Sequence, residues 1–358
     1  MKPSPNPTMQ PTARRRTASL SMTDKLSIQA SLRSHERWLI LFSLGRVNAD
    51  VRRTEQSMIS ALKFPTELHR EVASLVGDFF ASHAYVDTIL VVNSCARGRA
   101  VAGSDLDMAV LITPTAPSQE VQSLTLKWQQ FMVTQPVVHR FRRSGRFTQV
   151  HVDVFDGRMT PTVWDDGGGP DSFEIEIGNR VAYAAPLCVA GTYFQQLQSQ
   201  WLPYYEEQLR LSRLAMVREA CARDLEAIPF FLGRGLYFQA FDRLYKAFQE
   251  FLQALFMAGR TYPLAYNKWI HEQVAEWLSL PDLYEKLPPI LSVRKIEGAE
   301  LAENADALRV LLERWTCLGD GGREAAQPGA PPNGSPTTPP GNSGATEGPP
   351  SESHSLDP

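Results

Sequence analysis

The chain has few cysteines, no long apolar run and almost no excess of charge. Its 358 residues include four cysteines that form no Cys-x-x-Cys motif: Cys95, Cys188, Cys221 and Cys317. Their scatter argues against a zinc site or a disulfide framework and predicts reduced thiols in a cytoplasmic protein. No stretch approaches the roughly 20 apolar residues that a membrane-spanning helix needs. The net charge of −3 gives no overall attraction to nucleic acid or to an anionic membrane.

The two ends differ in composition from the middle. Residues 1–25 are rich in Pro, Ser and Thr and lack the apolar core of a secretory signal, so we expect a disordered leader. An organellar transit peptide, or a start assigned too far upstream, are the alternatives. Residues 26–63 are expected to be helical, with no assigned role. Residues 319–358 consist mainly of Gly, Pro, Ser and Thr, which predicts a disordered tail.

Two folded parts are predicted between these ends. An α/β domain with a mixed sheet is expected at 64–190, and an all-α bundle at 191–318. Hydrophobic periodicity predicts helices at Thr66–His83 and Ser118–Val133. It also predicts strands at Val86–Val92, Leu106–Ile112, Val137–Phe141, Gln149–Phe155, Phe173–Ile177 and Val181–Val189.

The bundle is indicated by a stripe of aromatic and aliphatic residues between Tyr237 and Phe256. Their three- and four-residue spacing predicts a helix with a broad apolar face, which we interpret as bundle core. Gly259 is expected to end this helix.

Paired carboxylates at the start of a strand are the main chemical feature. Asp105 and Asp107 are two residues apart, so both point to one face of the strand. Asp153 shares a face with His151 on a later strand and can join them if the two strands are neighbours. Carboxylate pairs of this kind hold Mg²⁺ beside phosphates, and three carboxylates can hold two ions.

The chain resembles the polymerase β-type nucleotidyltransferase superfamily, and in particular its bacterial small-substrate branch, which includes aminoglycoside nucleotidyltransferases. The resemblance lies in the turn Ser94-Cys95-Ala96-Arg97-Gly98, the Ser104-Asp105-Leu106-Asp107 segment and the later Val152-Asp153-Val154. Asn93 stands where that pattern has a glycine. Asn is among the residues that best tolerate a positive φ, so we expect the turn to survive.

The resemblance implies Mg²⁺-dependent transfer of a nucleoside monophosphate, with AMP favoured, from a nucleoside triphosphate to a hydroxyl group. It implies that the carboxylates of Asp105, Asp107 and Asp153 bind two Mg²⁺ ions. It further implies nucleotide contacts from Ser94, Arg97, Ser104, Lys246 and Lys268. Each lysine, taken alone, is equally well explained as a solvated helix residue. Arg97 could instead fix the turn by bonding its carbonyl groups.

The acceptor is left open by the sequence. A small cationic acceptor such as an aminoglycoside would suit the acidic residues Asp165, Asp166, Asp171, Glu174 and Glu176, which also fit a solvated loop and an exposed strand face. The alternatives are an enzyme that nucleotidylates proteins, as antitoxin-type relatives do, and an inactive nucleotide-binding protein. No nucleic acid or membrane partner is expected, and the oligomeric state is open.

Overall fold

We describe a computed structural model in which residues 62–161, 169–188 and 190–316 are placed. These residues belong to one compact unit, Leu62–Pro358. The predicted leader, the tail and nearly all of the segment at 26–63 lie outside the described residues, as do Asp165 and Asp166.

The α/β part is built on a mixed sheet of four strands. The strands are β1 (Val86–Val91), β2 (Leu106–Ile112), β3 (Val150–Phe155) and the short β4 (Ala185–Pro186). Their order in the sheet is β3-β2-β1-β4, in which β1 runs antiparallel to β2 and β4 while β2 runs parallel to β3. The predicted mixed sheet is therefore confirmed, and β1, β2 and β3 begin and end within one residue of the predicted bounds.

Helices cover both faces of this sheet. They are α1 (Glu67–Ala81), α2 (Asn93–Ala96), α3 (Glu120–Met132), α4 (Pro136–Arg143) and α5 (Phe173–Ile177), which continues into a π-helical segment, Gly178–Ala182. Helix α1 packs on β1 and β2, α3 packs on β3, and α4 packs against α1. On the opposite face, Leu90, Ala109 and Leu111 join an apolar cluster with residues that follow β3.

Two predicted strands are wrong, and a third is confirmed only in part. The segment Val137–Phe141 belongs to helix α4, in which Pro136 occupies the first turn and the buried residues are Val138 and Phe141, three positions apart. The segment Phe173–Ile177 is helix α5, whose buried residues Phe173, Glu174 and Ile177 follow helical spacing. Of the described residues in the predicted strand Val181–Val189, Ala185–Pro186 form a strand, which pairs with β1 and so extends the sheet.

The second part is helical, as predicted. Its elements are α6 (Thr192–Trp201), α7 (Glu207–Gly233), α8 (Tyr237–Ala258), a π-helical segment at Glu272–Trp277, α9 (Pro281–Tyr284), α10 (Leu287–Ile290) and α11 (Glu300–Trp315). The two long helices, α7 and α8, pack along each other, and α11 packs on both.

The predicted apolar stripe of α8 contributes to the bundle core, together with residues of α7, α9, α10 and α11. Leu244, Phe251 and Phe256 are fully buried, whereas Phe238 near the start of the helix is exposed. Gly259 caps the helix at the expected position. Within the described ranges, no helix combines the length and the apolar character needed to cross a bilayer.

Candidate functional site

The site is built around the turn between β1 and β2. Asn93, the first residue of α2, has a φ of 55°. Its side-chain amide donates a hydrogen bond to Asp107 Oδ2 at 3.0 Å. The prediction that Asn93 can adopt a positive φ is confirmed, and its side chain ties the turn to the strand that carries the acidic pair.

Asp105 and Asp107 lie at the entrance to β2. Asp105 Oδ1 accepts a hydrogen bond from the backbone N–H of Gln149 at 2.6 Å, which links the acidic pair to the start of β3. Burial raises the pKa of Asp107, and so does the charge of Asp105, whereas the Asn93 hydrogen bond and the charges of His151 and Lys268 lower it. The pair is thus a concentration of negative charge that a nearby cation would relieve.

Strand register determines which residue of β3 stands beside the pair. In the parallel ladder Asp107 is the partner of His151, and Ala109 is the partner of Asp153. His151 Nε2 lies 3.9 Å from Asp105 Oδ2. The Asp153 carboxylate lies 3.7 Å from the guanidinium of Arg180. His151 is therefore the direct neighbour of the acidic pair, and Asp153 lies two residues further along β3 on the same face.

The donor set fits one divalent cation better than two. Two carboxylates on one strand face are suitable oxygen ligands for Mg²⁺ when phosphate or water completes the coordination. Across the placed residues, no group of three or more His, Cys, Asp or Glu side chains is arranged to hold a metal ion. A second ion at Asp153 would compete with the Arg180 guanidinium, which lies 3.7 Å from that carboxylate.

Arg97 connects the turn to the helical part. Its guanidinium lies 2.7 Å from Glu272 Oε1, and the exposed fractions of the two side chains are 9% and 11%. It also lies 5.1 Å from the ring centre of Trp269 and 6.0 Å from that of Trp277. Burial lowers the pKa of Arg97, and the charge of Glu272 opposes that effect. The structure thus places this guanidinium against Glu272, which neither sequence interpretation anticipated.

The two lysines proposed for phosphate contacts are placed differently. Lys268 is close enough to Asp107 to lower the pKa of that carboxylate. Lys246 forms an ion pair at 2.9 Å with Asp242, one turn earlier on α8. Lys268 is therefore the one of these two lysines whose charge acts on Asp107.

The hydroxyl groups and the thiol of the turn also have distinct surroundings. Ser94 is half-buried in α2. The Ser104 hydroxyl accepts a hydrogen bond from the backbone N–H of Val101 at 2.9 Å and so shapes its own loop. Burial, with the charges of Asp107 and Asp105, raises the pKa of Cys95 to about 12. Cys95 is therefore a protonated packing residue at neutral pH.

Glu174 is buried rather than exposed, which corrects its interpretation as part of an exposed strand face. Its carboxylate accepts hydrogen bonds from Tyr205, Arg213 and Gln253 at 2.7–2.9 Å. Asp171 accepts bonds from the same Arg213 and Gln253. These two carboxylates therefore connect α5 and the residues just before it to the long helices α7 and α8.

The most important residues that the sequence interpretation missed lie between Lys268 and Trp277. Glu272 follows His271 in a run that resembles the start of a zinc-protease helix, an interpretation excluded because Ala275 replaces the second histidine. Its contact with Arg97 spans 175 positions of sequence, so no local pattern could indicate it.

Comparison with known proteins finds no protein-family model and no curated protein that matches this chain. A functional conclusion therefore rests on the residues described above and on their chemistry.

Proposed function

We propose that this chain is a Mg²⁺-dependent nucleotidyltransferase that moves a nucleoside monophosphate, with AMP favoured, from a nucleoside triphosphate to a hydroxyl group of a small molecule. The observation that carries the proposal is the junction of β1, α2 and β2. There the positive-φ residue Asn93 donates a hydrogen bond to Asp107, and Asp105 lies two residues earlier at the entrance to β2. This junction corresponds to the turn and acidic pair on which the resemblance is based.

The charges around the pair support a site for a metal and a triphosphate. Lys268 supplies a positive charge near Asp107 and can contact a phosphate. The half-buried Ser94 and the backbone of its turn are the other candidates for phosphate contacts. Arg97, because it is bound to Glu272, is better suited to hold the turn in place than to contact the nucleotide.

The residues of the chain have separable tasks in this proposal. Mg²⁺ would supply charge neutralisation for the phosphates. Asn93 orients the carboxylate of Asp107, and the backbone N–H of Gln149 orients that of Asp105. His151 and Asp153 line the same face of β3 and are available to orient the acceptor hydroxyl. Positioning and electrostatic stabilisation account for most of the rate of phosphate transfer reactions of this kind.

A second candidate function is nucleotide binding without transfer. It is favoured by one observation, because the Asn93 amide engages an oxygen of Asp107 that a metal ion would otherwise share. Transfer to a protein hydroxyl is the remaining alternative and involves the same residues.

The test is nucleotide turnover by the purified chain with Mg²⁺, with and without a panel of aminoglycosides and a cell extract. We expect pyrophosphate release that is reduced at least a hundredfold in Asp105→Asn and Asp107→Asn, as is typical when electrostatic groups of a transition state are removed. Asp306→Asn, at an exposed carboxylate of helix α11, is the matched control. Equal turnover in all four proteins would refute the assignment, whereas nucleotide binding without any turnover would favour the second candidate.

A further inference from the structure

A strongly basic surface lies next to the acidic pair, although the chain as a whole is slightly acidic. It consists of Arg140, Arg142 and Arg143 in the last turn of α4, followed by Arg146 and Phe147. There is no acidic residue between Arg140 and Gln149.

Two of these four arginines are exposed and take part in no ion pair within the described residues. Arg140 is paired with Glu71 at 2.5 Å, and Arg142 contacts Met132. Arg143 and Arg146 are exposed, and within the described residues neither forms an ion pair. Arginines near a helix C-terminus can serve to stabilise the helix dipole. That explanation covers α4, but it does not extend to Arg146 and Phe147, which follow the helix.

Phe147 gives the surface a second property. Its side chain is 73% exposed, and the guanidinium of Arg146 lies 5.3 Å from its ring centre. An exposed ring beside unpaired guanidinium groups can stack with an unpaired nucleobase while the arginines contact phosphates. A duplex would use the arginines alone, because its bases are already stacked.

The surface is continuous with the candidate site. Gln149, two residues after Phe147, donates its backbone N–H to Asp105. The loop before the acidic pair also approaches this segment, because a Cβ on Gly145 would lie 3.6 Å from the Cα of Gly103. A nucleic-acid strand bound along this surface would therefore run toward the acidic pair.

We propose that this basic surface binds single-stranded RNA. Unpaired bases are available in cellular RNA, and the combination of phosphate-binding arginines with an exposed ring fits them better than it fits a lipid headgroup or an acidic peptide. The sequence-based expectation of no nucleic-acid partner was drawn from the net charge of −3, which does not reveal a local cluster of arginines. The inference concerns binding and stands whether or not the chain transfers nucleotides.

The experiment is fluorescence anisotropy with a labelled single-stranded RNA of about ten nucleotides, a length in the range of single-strand binding sites. The full chain is compared with Arg143→Glu/Arg146→Glu and with Phe147→Ala. The chain offers a matched control, because Arg234 lies 5.2 Å from the ring centre of Phe230, which is 60% exposed on α7. The control variants are Arg234→Glu and Phe230→Ala, and thermal melting verifies that every variant is folded.

We expect the double arginine variant to bind at least tenfold more weakly and to lower the slope of log affinity against log salt by about 1.4, or about 0.7 for each lost phosphate contact. We expect Phe147→Ala to bind at least about fivefold more weakly, and both control variants to bind as the wild type does. Absence of binding at low salt would overturn the proposal. So would equal losses in the control variants, equal affinity for a duplex of the same sequence, or tighter binding to phosphatidylserine vesicles than to RNA.

Discussion

The ion pair between Arg97 and Glu272 provides the sharpest test of how the turn is held. At a separation of about 4 Å and an effective dielectric constant of about 20, two unit charges attract by about 4 kcal/mol. Desolvation offsets much of this attraction, so the intact pair adds little net stability. Removal of one partner is costly, because a largely buried charge then loses its counter-ion.

The two single variants should differ, because Arg99 also lies near the pair. Its guanidinium is 3.6 Å from Glu272. In Arg97→Met, Glu272 keeps Arg99 as a partner, and we expect a loss of about 1.5 kcal/mol in the free energy of unfolding. In Glu272→Gln, the buried Arg97 faces Arg99 without a carboxylate between them, and we expect a loss of about 3 kcal/mol.

The assay is urea unfolding of the single variants and of the double variant, with an exposed pair as control. Arg309 and Asp306 lie 2.8 Å apart on α11 with 37% and 72% of their side chains exposed. Asp306→Asn should therefore cost less than about 0.5 kcal/mol. A loss from Arg97→Met that equals or exceeds the loss from Glu272→Gln would refute the reasoning. Losses in both that match the exposed control would do the same.

Three further predictions concern other parts of the structure. Both Asn93→Gly and Asn93→Leu lose the hydrogen bond to Asp107, but glycine adopts a φ of 55° freely, whereas the bulky leucine is strained there. Asn93→Gly should therefore keep the unfolding free energy within about 0.5 kcal/mol of the wild type, and Asn93→Leu should lower it by about 1–2 kcal/mol; equal urea midpoints for the two would count against this. Glu174→Leu leaves Arg213 buried with Asp171 as its remaining carboxylate partner and should cost at least about 3 kcal/mol in urea unfolding; a cost below about 1 kcal/mol would contradict the buried placement. Hydrogen bonds from Arg210, and further ones from Arg260, lower the pKa of Glu207 from 4.5 to about 2. The stability that Glu207 contributes is therefore complete above pH 4.5 and is lost as the pH falls toward 2. Melting temperatures should accordingly depend less on pH in Glu207→Gln than in the wild type across that interval, and equal pH profiles would exclude the contribution.

Local patterns were sufficient to predict the centre of the α/β part. The strands β1, β2 and β3 are apolar or alternating runs with polar boundaries, and the two-residue period places Asp105 and Asp107 on one face. The positive φ of Asn93 was likewise foreseeable from residue type. Helix α4 was misinterpreted because Val137 and Val138 favour strands, while its burial pattern depends on packing against α1.

The features of the site that the sequence did not predict depend on contacts between residues far apart in the chain. The sequence places His151 and Asp153 on one strand face, but the register of β3 against β2 decides which of them stands beside Asp107. Glu174 gave no sign of burial, since its partners Arg213 and Gln253 lie 39 and 79 positions away. Arg97 and Glu272 are similarly remote in sequence. Such contacts follow from how the helices pack on the sheet, and no local periodicity encodes them.

The most direct test of the central claim is to incubate the chain with Mg²⁺, an acceptor extract and ATP that is labelled in parallel reactions on the α- or the γ-phosphate. The account predicts that the α-label moves to the acceptor, that the γ-label leaves as pyrophosphate, and that Asp107→Asn abolishes both. Transfer of the γ-label to the acceptor, or α-label transfer that survives Asp105→Asn and Asp107→Asn, would contradict it.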